Sequence, residues 1–200
     1  MSGVHLKLER ARPGPVCGVD EAGRGPWAGP VCAAAVILPT RARLDGLDDS
    51  KRLTARQRDI AESRIKKEAV AWAVAFASVD EISELNILRA TALAMRRAVE
   101  ALSHAPTFAL VDGDKAFDFH CPSEAVIGGD GISASIAAAS ILAKTARDRL
   151  MVAHDADYPG YGFAVHKGYG VPAHAAALRA LGPCPIHRMT WAPLRAMVGG

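Results

Sequence analysis

Three short apolar segments of this chain end in acids. Gly18-Val19-Asp20-Glu21 runs into Ala22-Gly23-Arg24-Gly25-Pro26, Leu110-Val111-Asp112 into Gly113, and Val126-Ile127 through Gly128-Gly129 into Asp130. An apolar strand buries its side chains, so an acid at its end sits near the rim of a sheet. Each acid taken alone also reads as an Asp in a glycine turn, where Asp is common. Three of them in one small sheet suggest more. Neighbouring strands lie about 4.8 Å apart, so their ends can bring carboxylates within shared reach of one ion. Left bare, such acids repel, and a divalent cation is the natural compensation. All-oxygen ligands favour Mg²⁺ or Mn²⁺ over zinc, with water and substrate phosphates completing the shell. Two such ions roughly 3.5–4 Å apart can activate a water and stabilise the leaving oxygen in phosphodiester cleavage.

The glycines after Glu21 admit a competing idea, a phosphate cradle for a dinucleotide. The spacing of Gly23, Gly25 and Gly29 does not match that fingerprint, Pro26 removes a backbone donor, and an acidic pair ahead of the glycines repels pyrophosphate. The sharper expectation is that Gly23 and Gly25 let the backbone approach a sugar, where amide and carbonyl groups contact a 2′-hydroxyl.

The elements that must position these residues can be read from pattern. Val16–Asp20 and Val31–Leu38 read as strands, the second stopped by Pro39. Thr54 is a candidate N-cap for a charged helix from Ala55 to Glu68. Val70–Ser78 alternates as a strand, and Ile87–Leu102 carries Leu88, Ala92, Met95 and Val99 at helical spacing. Thr107–Val111 and Ala125–Ile127 read as strands, Ser133–Ala153 as a long helix, and Pro172–Leu181 as a helix with Gly182 just past its end. Consecutive early strands imply antiparallel pairing; later alternation of strand and helix implies parallel pairing. The fold class expected is α/β: a mixed sheet flanked by helices, with a helical C-terminal part.

Composition fits that picture. Of 200 residues, 50% are hydrophobic and 22% charged, which excludes a disordered chain and leaves ample core. The longest apolar run, Val31 to Leu38, is far short of the roughly 20 residues that span a bilayer. Met1–Arg12 has no signal-peptide stretch, so a cytoplasmic location is expected. Cys17, Cys32, Cys121 and Cys184 are scattered without a C-x-x-C pair, which argues for reduced thiols over a zinc ribbon or disulfide framework. The net charge of +3 hides an asymmetry: residues 131–200 carry +4 and residues 1–130 carry −1. A basic C-terminal third facing an acidic cluster suits a phosphate-rich ligand plus metal.

Seven stretches, in order, resemble the bacterial ribonuclease HII family: GVDEAGRGPWAGPV at 18–31, LDDSKRLTARQRD at 47–59, NILRATALAM at 86–95, LVDGDK at 110–115, GGDGISASIAAASILAKTARDRLM at 128–151, YGFAVHKGYG at 161–170 and PIHRMTW at 185–191. They span Val16 to about Arg195, and Trp27 stands where the family more often has an aliphatic residue. The resemblance implies an RNase H-like sheet domain over 16–160, an N-terminal extension over 1–15, and a helical part over 161–200 packed on the substrate side. It implies cleavage of RNA in RNA–DNA hybrids and incision at single ribonucleotides in duplex DNA, leaving 5′-phosphate and 3′-hydroxyl ends. Asp20, Glu21, Asp112 and Asp130 fall on the family's metal-binding catalytic acids, the same acids that the strand ends single out.

By the same resemblance, Gly23, Arg24 and Gly25 sense the 2′-hydroxyl, and Tyr169 stacks on the sugar that follows the ribonucleotide. Ser50 and Lys51 resemble contacts near phosphate or metal; Lys144, His166, Lys167 and Arg188 are candidate phosphate contacts. The expected partners are hybrid and ribonucleotide-containing duplexes, with a monomeric protein, no membrane, and no clamp, since no clamp-binding motif is evident after Met197. The alternatives are a structure-selective DNase or junction resolvase on a related fold, and a binding module without catalysis. The last has no use for clustered carboxylates that repel phosphate.

Overall fold

The computed structural model describes residues 3–42 and 53–198. Ser50 and Lys51 therefore lie outside the described residues. Five strands form one sheet: β1 Val16–Ala22, β2 Val31–Ile37, β3 Ala71–Ala77, β4 Phe108–Asp112 and β5 Ser123–Val126, in spatial order β3-β2-β1-β4-β5. β1 pairs antiparallel with β2 and parallel with β4, and β4 pairs parallel with β5, the mixed sheet that the order of elements implies.

Alternation along the central strands sorts side chains onto two faces. Cys17, Val19, Ala33, Ala35 and Ile37 meet helix α3, Val79–Glu100, through Ala90, Ala94, Met95 and Ala98. Cys32, Ala34 and Val36 face helices α2, Ala55–Glu68, and α4, Ala134–Asp157. Small residues let α4 come unusually close to the sheet. A Cβ on Gly18 would lie 2.1 Å from the Ser135 carbonyl carbon, so only glycine fits there. The N-terminal helix α1, Lys7–Arg10, secures the start of α4. The Glu9 carboxylate accepts from the Ser133 and Ser135 hydroxyls and from the Ser135 N–H, adding to the Ser133 cap at the positive end of the helix.

Two boundaries differ from the sequence expectation. β1 runs on through Asp20 and Glu21 to Ala22, because antiparallel pairing with Cys32–Ala34 continues where an isolated polar pair would stop a strand. α3 begins at Val79, capped reciprocally by Ser78 and Glu81, and breaks at Asn86 (φ +67°, ψ 165°). There the Asn86 side-chain Oδ1 accepts from the Leu88 and Arg89 N–H groups and restarts the helix. The amphipathic pattern from Ile87 onward is thus the second half of a kinked element. Three short helices complete the chain: α5 Phe163–His166, α6 Pro172–Leu181 and α7 Ala192–Val198. A small second core of Ala28, Met151, Tyr161 and Phe163, joined by Cys184 and Ile186, ties residues 161–186 to the loop after β1. Among the described residues, no helix is long and apolar enough to cross a membrane.

Glu81 caps α3 and binds Arg97 at 2.6 and 2.9 Å, and the guanidinium holds its carboxyl down to about 2 from an ordinary 4.5. A depressed carboxylate contributes stability that is full above its unfolded value and lost as pH falls through the folded one. Because the pair is partly exposed, Glu81→Gln should lower stability by only about 1 kcal/mol at neutral pH. In urea denaturation that deficit should shrink below pH 4.5 and vanish near pH 2; a constant deficit across the range would count against the ion pair.

Candidate active site

The sheet's register carries three of the expected acids to one place. Asp20 lies on β1, one residue beyond Val19, the last rung that β1 shares with β4, and Asp112 ends β4. Asp130 sits in a single 3₁₀ turn, Gly129–Gly131, after β5. That turn is pinned to β4 by the Gly129 N–H, which donates to Asp112 Oδ1 at 2.7 Å. A side chain at 129 would run into Ile136 at 2.6 Å, so glycine is what lets the turn close on the strand. The outcome is one carboxylate oxygen from each of Asp20, Asp112 and Asp130, all within 4.8 Å of one another. Asp20 and Asp130 are buried.

Burial pushes the Asp20 carboxyl well above the usual range, and the charges of Glu21 and Asp112 push the same way. The Ser140 hydroxyl and the Glu21 N–H oppose the shift by hydrogen bonding to it. A buried acid raised by burial and by its neighbours' charges, in an all-oxygen cluster, fits a hard divalent cation, which removes the repulsion that the fold imposes.

Glu21 stands apart from the three. Strand alternation turns it to the opposite face from Asp20, where it accepts from Arg24 at 3.3 Å. There it lines a cleft of about 150 Å³ with Asp112, Thr91, Lys115 and Phe117. The four acids thus border a single rim, but from two faces of β1.

The loop after β1 is held from behind by two buried arginines. Arg147 donates to the carbonyls of Pro30, Ala28 and Lys167 at 3.0–3.1 Å. Arg188 donates to those of Gly23, Arg24 and Gly29 at 2.6–2.9 Å. Gly23 has φ +99°, and a Cβ there would sit 2.0 Å from Arg147 Nε. Its glycine is required by the arginine beneath it as well as by the turn. Gly25 is open on the other side, where the nearest atom to a Cβ would be Tyr169 Cε1 at 3.9 Å. Gly25 and the exposed Tyr169 ring therefore face each other, with Lys144 Nζ 5.9 Å from that ring.

The assignment of Arg188 changes, and the other candidate phosphate contacts have partners within the protein. Arg188 was expected to touch phosphate, but it is fully buried and its guanidinium is engaged by three carbonyls, so it supports the loop from inside. His166 turns its ring inward, donating from Nε2 to the Tyr161 carbonyl, and the Lys167 ammonium caps the Ala164 carbonyl. Lys144 is paired with Asp148 at 2.8 Å. Ser140 and Arg147 were missed. Both lie on the stripe Ile136, Ser140, Ala143, Arg147 and Met151, whose helical spacing marks it as the buried face of α4. A charge on such a stripe signals a buried support.

A family model described as Ribonuclease HII matches residues 17–194. The chain belongs to the ribonuclease HII family. It is 62% identical over 182 residues to ribonuclease HII of Caulobacter vibrioides, covering 91% of this chain and 86% of that one. It is 56% identical over 181 residues to the Burkholderia lata ribonuclease HII, covering 90% and 85%. Among solved structures, ribonuclease H2 from Pyrococcus horikoshii superposes with a TM-score of 0.79 at 28% identity, over 93% of this chain and 98% of that one. The ribonuclease HII of a PCNA complex from Archaeoglobus fulgidus superposes with a TM-score of 0.73 at 25% identity, over 91% and 96%. The fold is that of the type 2 ribonucleases H, and this ribonuclease HII is a hydrolytic endonuclease of the ribonuclease H type.

The support role of Arg188 separates cleanly from a phosphate contact. Arg188→Met leaves three buried carbonyls short of a donor, at about 1–3 kcal/mol for each one that stays unsatisfied. A marked loss of thermal stability is expected, with the salt dependence of hybrid binding unchanged. A phosphate contact would instead lower the salt slope by about one and leave stability near wild type.

Proposed function

We propose that this ribonuclease HII cleaves the RNA strand of RNA–DNA hybrids and also incises duplex DNA at a single embedded ribonucleotide, leaving 5′-phosphate and 3′-hydroxyl ends. The observation that carries this reading is the cluster of Asp20, Asp112 and Asp130 within 4.8 Å, at the rim from which the Gly23–Gly25 loop departs. Those aspartates, with Glu21 reaching the rim from the cleft side, would hold Mg²⁺ or Mn²⁺. When bound there, as a pair in this reading, such ions supply the Lewis acidity that activates water and stabilises the leaving oxygen.

The rest is done by the protein's own groups. Asp20 is steadied by Ser140 and by the Glu21 N–H, and Asp112 by the Gly129 N–H, so the acids are preorganised before substrate arrives. The backbone of Gly23, Arg24 and Gly25, fixed from beneath by Arg147 and Arg188, presents N–H and C=O groups for a 2′-hydroxyl. Tyr169, across from Gly25, offers a ring face to the next sugar and favours a deoxyribose there. The Arg24 side chain adds to the contacts with the 2′-hydroxyl, Lys144 reaches a phosphate, and Ser50 and Lys51 lie near phosphate or metal on the strength of the family resemblance. Residues 161–200 form the cover on the substrate side, beyond a sheet domain that spans 16–160.

A duplex with one ribonucleotide in an otherwise DNA strand tests this most simply. With Mg²⁺, cleavage is expected at that nucleotide and nowhere in the all-deoxy control. Asp20→Asn should lower the rate about a hundredfold or more while leaving circular dichroism unchanged. Cutting of the all-deoxy duplex would favour a structure-selective DNase, and turnover in EDTA would remove the metal assignment.

A further inference from the structure

We infer that His174 and His187 are positioning residues for Tyr169, acting through a directed chain of hydrogen bonds that ends on the Tyr169 carbonyl. The inference rests on the proposed contact between Tyr169 and the substrate sugar. The chain starts at the Cys184 N–H, which donates to His187 Nδ1 at 2.9 Å. The Cys184 carbonyl is farther from that nitrogen, at 3.2 Å, and the amide hydrogen has a fixed direction, so Nδ1 is the acceptor. In the neutral ring the proton then sits on Nε2. From there it points at His174 Nε2, 3.1 Å away. His174 must accept at Nε2 and so carries its own proton on Nδ1, which donates to the Tyr169 carbonyl at 2.9 Å. Each bond determines the next tautomer, and only one arrangement satisfies all three.

The surroundings favour that arrangement. His174 and His187 are almost fully buried, and desolvation draws His174 down to about 4 and His187 below its usual value, so both stay neutral. The His166 ring stacks on His174 at 4.4 Å, and its own tautomer is set by the Gly168 N–H on Nδ1 and the Tyr161 carbonyl on Nε2. Packing alone does not call for imidazoles. Trp27, Tyr161 and Phe163 line the same space, and an apolar ring would fill it without the penalty of burying polar nitrogens.

What the chain holds is a tight turn. Gly168 has φ +83°, with its Cβ direction blocked by the Ala28 carbonyl at 2.5 Å, and Gly170 lies against the Trp27 indole. The Gly168 carbonyl accepts from Trp27 N–H at 2.8 Å, on the loop that also carries Gly25. Tyr169, between the two glycines, donates its N–H to the His166 carbonyl at 2.9 Å, and its own carbonyl accepts from the Val171 N–H at 2.9 Å. His174, on the first turn of α6, adds a second, side-chain donor to that carbonyl and so ties the peptide plane of this turn, and with it the side of the loop on which the ring stands, to α6.

The test uses the intact protein without nucleic acid for one part and with substrate for the other. Imidazole ¹⁵N resonances at pH 7 should show His174 as the Nδ1–H tautomer and His187 as the Nε2–H tautomer. The reverse tautomers, or a protonated ring at either position, would overturn the chain. In incision of the single-ribonucleotide duplex, Tyr169→Ala and His174→Phe should each lower the rate roughly tenfold or more, and the double variant should fall no further than Tyr169→Ala. Losses that multiply in the double variant would make His174 a structural residue only and overturn the coupling. An unchanged rate in Tyr169→Ala would overturn the substrate contact, while the tautomer pattern would still report on the chain. If His174→Phe does not fold, the wild-type resonances decide.

Discussion

Asp20, Asp112 and Asp130 repel one another, and burying two of them makes that repulsion costlier than it would be in water. A chain left to itself would splay these side chains into solvent. Here the backbone forbids it. β1 and β4 are hydrogen-bonded neighbours in the middle of the sheet, α4 lies on Gly18 at a distance no larger residue allows, and the Gly129 turn is clipped to Asp112. Unfavourable electrostatics are held in place by favourable packing, and a divalent cation is the chemistry that relieves them.

The same device recurs in opposite sign under the neighbouring loop. Two guanidiniums are buried with their N–H groups given to backbone carbonyls, and burial draws Arg188 down to about 9, still charged at neutral pH. Carbonyl dipoles replace the water that these cations have lost, and in return the arginines fix a loop rich in glycine that has little rigidity of its own. The floor of the loop is thus held by buried guanidiniums, while its open face looks across from Gly25 to the exposed Tyr169 ring.

Much of this was legible in the residues. The strand-end acids pointed to one site, and the strand order pointed to the mixed sheet, because both depend on short-range pattern. Ser133 and Thr54 marked helix starts that the structure bears out. Pattern failed where tertiary contact overrides it. Asp20 and Glu21 look like a strand terminator but are carried on by pairing with β2. Glu21 reaches the same rim from the opposite face of β1, as strand alternation alone requires of the residue next to Asp20. Arg188 looked like a phosphate ligand because its burial depends on carbonyls 159 to 165 residues away, which no local pattern reveals.

If the fold holds the three aspartates against their own repulsion so that an ion can bind, removing one charge should relieve the protein and weaken its response to metal. Thermal unfolding of Asp20→Asn, with and without Mn²⁺, tests it most directly. Asparagine keeps an acceptor for the Glu21 N–H but removes the charge. The variant should melt above wild type in the absence of divalent ions, and Mn²⁺ should raise the melting temperature of wild type much more than that of the variant. A variant that melts below wild type without ions, or one that gains as much from Mn²⁺, would contradict it.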